Sequence, residues 1–181
     1  MRLFVAVDVP DELRDAIESD VVGALRDRVP GARWTRPEGR HLTLKFLGNV
    51  VDERVTAIGG ALRASAAEHA SFEASFGEVG GFPNLRRPRV LWIGVVEGAG
   101  QLGALARSVE SSLEPLGFAC EDRPFTGHLT LARFQRPRIV EVPSVAVPLE
   151  RFPVKEVVLF QSRLHPKGAR YEVVHRFPLS N

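Results

Sequence analysis

Two identical tetrapeptides hold the residues of this chain best suited to chemistry. They are His41-Leu-Thr-Leu44 and His128-Leu-Thr-Leu131, offset by 87 residues (His41 to His128), in a chain with only five histidines. On a β-strand successive side chains alternate between faces, so His41 and Thr43 share one face while Leu42 and Leu44 share the other. The same parity sets His128 and Thr130 against Leu129 and Leu131. Each segment therefore anchors two leucines in a core and presents an imidazole beside a hydroxyl on the opposite face. Two such strands lying side by side would present two His/Thr pairs to one groove.

That layout suits displacement at phosphorus. The attacking and leaving oxygens lie on opposite sides of the phosphorus, so the reaction needs one base and one acid roughly in line. Histidine, with an unperturbed pKa of ~6.5, fits either role, and each positioned proton transfer typically contributes about 10²–10⁴ in rate. The threonine hydroxyls can donate to the non-bridging phosphoryl oxygens. Arg133 stands five residues beyond His128, an odd offset that turns it to the opposite face of a regular strand. It reaches the phosphate only through a bulge, a strong twist or its own length. Neither copy has an adjacent carboxylate, and the sequence lacks His-x-His and His-Glu-x-x-His, so no metal site is expected.

These pairs need strands to carry them. Leu3, Val5 and Val7 alternate with Phe4, Ala6 and Asp8, which predicts a first strand. Pro10 and Asp11 open a helix expected to run to about Val29, with Leu13, Ile17, Val21 and Leu25 spaced by four. Gly31 to Arg36 reads as extended, Pro37-Glu-Gly39 as a turn, and Arg40 to Leu47 as a strand closed by Gly48. A second helix spans Asp52 to Glu68, with acidic residues at its start where the helix dipole favours them. Phe72 to Val79 reads as a strand, Gly80 to Pro88 as a loop dense in turn residues, and Arg89 to Val96 as a strand. Gly98 to Leu116 is the third helix, stopped by Gly117. His128 to Phe134 is the strand of the second motif, followed by strands over Val154 to Ser162 and Arg170 to Phe177, with Pro166-Lys-Gly168 turning between them. The fold class is α+β, with helices on one face of each antiparallel sheet. The motif echo, His41-Leu-Thr-Leu-Lys-Phe against His128-Leu-Thr-Leu-Ala-Arg-Phe, implies two similar lobes within one domain over residues 1–181.

Composition excludes several classes. A 44% hydrophobic, 25% charged chain of 181 residues is an ordinary globular sequence. Lysine occurs only at Lys45, Lys155 and Lys167, so nearly all positive charge is arginine, which grips phosphate bidentately. One cysteine, Cys120, rules out an intramolecular disulfide and a cysteine-built metal site, and reads as an inert small hydrophobe. The N-terminus reads as a strand rather than a signal peptide, and no apolar run approaches the ~20 residues that span a bilayer. The cytoplasm is the expected location.

At the paired motifs the sequence resembles the two-histidine (2H) phosphoesterase superfamily. Arg2-Leu-Phe-Val-Ala-Val-Asp-Val-Pro10, Gly81-Phe-Pro83 before Arg89-Val-Leu-Trp-Ile-Gly94, and Phe160-Gln-Ser-Arg-Leu followed by Pro166-Lys-Gly168 and Tyr171 look like its RNA 2',3'-cyclic phosphodiesterase (2'-5' RNA ligase) branch. The resemblance implies two pseudo-symmetric lobes, with helices on their outer faces, around a central groove. It also implies no metal or other cofactor, and hydrolysis of RNA 2',3'-cyclic phosphate ends to 2'-phosphate. By position, His41 would protonate the departing 3'-oxygen and His128 would activate water. Thr43 and Thr130 would hold the phosphate with Arg133 as a helper, and reversal would give 2'-5' ligation. RNA ends, tRNA-derived ones among them, are the expected partner, and a monomer is expected because one chain supplies both motifs. Two other readings are a phosphodiesterase for small cyclic nucleotides such as ADP-ribose cyclic phosphate, and a non-catalytic RNA-end-binding module.

Aromatic residues near the groove, above all Phe82 and Tyr171, then Phe46, Trp92 and Phe125, are candidates for base contacts or simply core. Arg86, Arg87 and Arg89, beside the Gly/Pro-rich loop, are candidates for RNA-backbone contacts but read first as a solvated loop, and His69, His165 and His175, lacking a threonine two residues on, as surface or structural.

Overall fold

The computed structural model describes residues 1–165 and 169–181; the turn expected at Pro166-Lys-Gly168 lies outside the described residues. β1 (Arg2–Asp8) leads into a helical stretch made of α1 (Asp11–Ala16), a π-helical segment (Ile17–Val22) and α2 (Gly23–Leu25). The widened middle has a cause in the sequence. A spacing of four overshoots the 3.6-residue turn by ~40° a step, so an unbroken α-helix would carry Leu25 about 120° round from Leu13. The π turns absorb that drift, and Leu13, Ile17, Val21 and Leu25 are all buried.

There follow β2 (Ala32–Trp34), a 3₁₀ turn at Pro37–Gly39, β3 (His41–Asn49) and α3 (Val55–Ala67). The strand expected over Phe72 to Val79 is two strands, β4 (Phe72–Ala74) and β5 (Phe76–Phe82), which belong to different sheets. β5 also takes in Gly80, Gly81 and Phe82, which shortens the loop expected there. β6 (Val90–Val95), α4 (Ala99–Leu113), β7 (His128–Phe134), β8 (Phe152–Val154), β9 (Glu156–Arg163) and β10 (Arg170–Pro178) complete the chain. The 3₁₀ turn after α4 ends at Gly117, whose φ of 82° is a conformation that favours glycine. No helix among the described residues is long and apolar enough to cross a membrane.

The main sheet has the order β10-β9-β1-β3-β7-β6-β5, with β2 added to β7, and every pairing is antiparallel. It is two halves joined at their centre. β10, β9, β1 and β3 form one, and β7, β6, β5 and β2 the other, meeting through one residue pair, Leu42 with Leu129. One sheet face is the main core, where Leu3, Val5, Val7, Leu42, Leu129, Val157 and Leu159 pack into one cluster with the buried residues of the helices. On the opposite face of the first half, Phe4, Ala6, Val158 and Phe160 form a second buried cluster with Tyr171 against it. β1 is therefore buried on both faces. Leu42 and Leu129 are fully buried at the junction, and truncation of such a leucine to alanine typically costs about 2–5 kcal/mol.

Candidate active site

The two motifs start the two central strands, so local pattern and global position coincide. In β3 and β7 the burial alternates as parity requires. Leu42, Leu44, Leu129 and Leu131 are buried, and His41, Thr43, His128 and Thr130 are partly exposed. Because Leu42 is paired with Leu129 across an antiparallel seam, the same register runs His41 toward Thr130 and Thr43 toward His128. Cross-strand partners share a face, so all four lie opposite the leucine core in a two-fold arrangement.

Past the motifs both strands break parity in the same way. The β1–β3 register shifts between Val5 and Ala6, skipping Leu44, and the β6–β7 register shifts between Leu91 and Trp92, skipping Leu131. Each is a β-bulge, which adds one residue and turns the following side chains over. The next residues, Lys45 and Ala132, are buried, and the ones after, Phe46 and Arg133, face outward on the groove side. Arg133 thus reaches the face of His128 by a bulge, one of the three routes that the odd offset left open. The echo also runs on without a gap, Leu47 matching Phe134 rather than Phe46 doing so. The sequence signal was two consecutive core residues, Leu44-Lys45 and Leu131-Ala132. It was obscured because Lys45 is a lysine, buried by pairing with Glu110 at 3.0 Å and donating to the Ala119 carbonyl at 2.7 Å.

Each imidazole is braced by rings. His41 stacks on Phe4 (centroids 4.6 Å apart), lies 5.7 Å from Phe160, and meets Tyr171 edge-on at 5.1 Å and 82°. His128 meets Phe82 edge-on at 5.0 Å and 89°, with Trp92 at 6.1 Å. Tyr171 and Phe82 thus each set a ring edge-on against one histidine, Tyr171 from β10 and Phe82 from β5. Gly39 makes room for the first, since a Cβ there would lie 3.0 Å from the Tyr171 ring. Phe46 is 62% exposed on the groove side, 6.0 Å from Phe4. Phe125 packs against the main core instead.

Electrostatics separate the two histidines. Burial, with a smaller contribution from the Arg14 guanidinium, pushes the His41 pKa down to about 4. Burial also lowers that of His128; the Thr126 carbonyl opposes this and the Arg133 charge adds to it. His128 Nδ1 lies 2.7 Å from the Thr126 carbonyl. A carbonyl only accepts, so Nδ1 carries the proton and neutral His128 keeps its lone pair on Nε2.

A polar relay that sequence reasoning missed ties the halves together. Arg40, 1% exposed, stands next to His41. It pairs with Glu18 and donates to Thr35 Oγ1 (3.3 Å) and the Thr35 carbonyl (2.9 Å). An arginine cannot accept, so the Thr35 hydroxyl gives its proton onward, toward the carbonyls of Thr130 and Leu131, each 2.9 Å away. The relay runs from the residue beside His41 to the bulge that carries Thr130. Thr35→Val removes the hydroxyl at constant shape and strands buried polar groups, so unfolding free energy should fall by about 1–3 kcal/mol, with Thr35→Ser close to wild type. Urea denaturation checks it; equal midpoints for all three proteins would refute it.

Cys120, expected as an inert small hydrophobe, is a free and exposed thiol. Arg86, Arg87 and Arg89 are exposed, as is His175, while His69 is partly buried. Among the described residues no group of three or more His, Cys, Asp or Glu side chains converges as a metal site.

A family model described as LigT like Phosphoesterase matches the chain twice, over residues 7–92 and 93–171, one match to each motif. An RNA 2',3'-cyclic phosphodiesterase of Archaeoglobus fulgidus is 40% identical over 185 residues, covering 98% of this chain and 99% of that protein. Among solved structures, the protein TT0787 of Thermus thermophilus superposes with a TM-score of 0.84 at 33% identity, covering 99% of this chain and 98% of that one. E. coli LigT complexed with 3'-AMP gives 0.81 at 28% identity over the same shares.

Proposed function

The chain belongs to the LigT-like phosphoesterase family, and on that footing we propose that it hydrolyses RNA 2',3'-cyclic phosphate ends to 2'-phosphates by two-histidine acid–base catalysis without a metal. The observation that carries this reading is the two-fold set of His/Thr pairs on one face of adjoining strands. The relatives named for this reaction support the choice of substrate.

In this mechanism His128 is the base. Its Nε2 lone pair takes a proton from water as the water oxygen attacks phosphorus. The bond from phosphorus to the 3'-oxygen breaks in line, and His41 delivers a proton to that oxygen. The product keeps the phosphate on the 2'-oxygen. Thr43 and Thr130 donate to the non-bridging oxygens, and Arg133 balances the charge that builds there. Tyr171 and Phe82 orient the imidazoles and border the space for the terminal base. His41 must be protonated to act as the acid, which its burial opposes; the phosphodiester anion supplies the missing countercharge on binding. The same transfers run backwards with an RNA 5'-hydroxyl in place of water give 2'-5' ligation. One chain provides every group, so no second subunit is required.

The test is turnover of an oligoribonucleotide ending in a 2',3'-cyclic phosphate in excess EDTA, with the product's phosphate position read by ³¹P NMR. Undiminished activity leaving a 2'-phosphate is expected. Loss of activity with chelator, or a 3'-phosphate product, would overturn the mechanism.

A further inference from the structure

Charge is distributed unevenly between the halves. In the first, Arg14, Arg163 and Arg176 each pair with carboxylates, and Arg26 and Arg40 share Glu18. In the second, the segments 28–37, 79–96 and 123–140 contain no aspartate or glutamate at all, although the whole chain has 22 of them. Far apart in sequence, these segments are gathered by the sheet. Arg33 is paired with Arg133 across β2–β7, and Val90 with Arg133 across β6–β7. The Arg89 carbonyl accepts from the Phe134 amide at 2.9 Å, and the Arg86 carbonyl from the Val140 amide at 3.0 Å. The Arg138 guanidinium fills the space beside Gly31. Arg33, Arg86, Arg89, Arg133, Arg136 and Arg138 are all exposed, and none is among the ion pairs of the described residues.

Arg33 and Arg133, cross-strand partners on strands ~4.8 Å apart, repel one another unless an anion lies over them. The six arginines, spread over three segments in the strands and the loops that extend them, are too many for one phosphate and fit a polymer of phosphates. Arginine's planar fork suits phosphate oxygens. The patch is also continuous with the site, because Arg133 shares the face of His128. We propose that this arginine surface binds the phosphodiester backbone of the RNA leading to the reacting end, so that the preferred substrate is an RNA chain rather than a cyclic mononucleotide. The proposal rests on the reading under Proposed function, and it favours RNA over an acidic protein because the surface runs into the groove.

The experiment compares wild type with Arg33→Gln/Arg86→Gln/Arg136→Gln, which leaves Arg133 and the Gly31 contact of Arg138 in place. The substrates are a nucleoside 2',3'-cyclic phosphate and a single-stranded RNA of about a dozen nucleotides ending in the same group. The variant should lose about tenfold or more in kcat/KM on the RNA, through KM, and stay within about twofold on the mononucleotide. Its slope of log(kcat/KM) against log salt should flatten by about 2, at ~0.7 per single-strand phosphate contact released. Equal losses on both substrates, or an unchanged RNA KM and slope, would overturn the proposal. So would the acidic-protein alternative, in which the RNA arm is unmoved. A binding arm is independent of turnover. Fluorescence anisotropy of the same RNA ending in a 2'-phosphate should show weaker, less salt-sensitive binding by the variant. If wild type turns over neither substrate the parent reading fails, and this arm still decides the surface.

Discussion

His128→Gln and His41→Gln should each lower kcat on a 2',3'-cyclic-phosphate oligonucleotide by about 10²–10⁴, with KM little changed. In the proposed mechanism each substitution would remove one of the two proton transfers and leave the aromatic bracing and threonine donors in place. Two histidines that act as one unit in that mechanism should leave the double variant little below the worse single variant. Steady-state kinetics on the three proteins checks this; a single variant retaining more than about a tenth of wild-type kcat would sink the assignment of that histidine. The pH dependence follows from the same environments. Both free-enzyme pKa values lie below the usual histidine range, His41 near 4. The bell of kcat/KM should therefore sit on the acid side of neutrality. A bound phosphate anion favours the imidazolium, so the kcat bell should lie at higher pH. Stability carries the same sign. The folded protein resists protonating His41, so its contribution is full above about pH 6.5 and is lost as pH falls toward about 4. His41→Gln should flatten that part of a Tm-against-pH curve.

Thr130→Val and Thr43→Val should each cost about 10²–10³ in kcat, the usual cost of one lost donor to a developing oxyanion. Valine keeps the β-branched shape, so the strands should stay intact and Tm should barely move. Thr130→Ser and Thr43→Ser should recover most of the loss by restoring the hydroxyl. Kinetics alongside thermal unfolding checks it: unchanged kcat in the valine variants would mean that other groups hold the phosphate. This loss is distinct from that of Thr35→Val, which acts on the Thr130 carbonyl rather than its hydroxyl and is read in stability.

Whatever local periodicity controls was already legible in the chain. The motif strands, the shared face of His41 with Thr43 and of His128 with Thr130, and the core positions of the four leucines all follow from the two-residue repeat. The ends of α3 and α4 follow from composition and from Gly117. The period of four in the first helix was visible, but only packing of that face against the core shows that it requires π turns. Beyond four residues the local rule failed, because a strand's parity can be reset by a bulge that depends on its neighbours' register. β1 and β6 impose those bulges from partners tens of residues away, and they decide that Phe46 and Arg133 look into the groove and Lys45 into the core. The Leu42–Leu129 junction, the edge-on contacts of Tyr171 and Phe82 with the histidines, the Arg40–Thr35 relay and the gathering of the unpaired arginines are likewise products of long-range pairing. The two histidines were legible because each needs only its own strand; the distance between them, and everything that fixes it, belongs to the sheet.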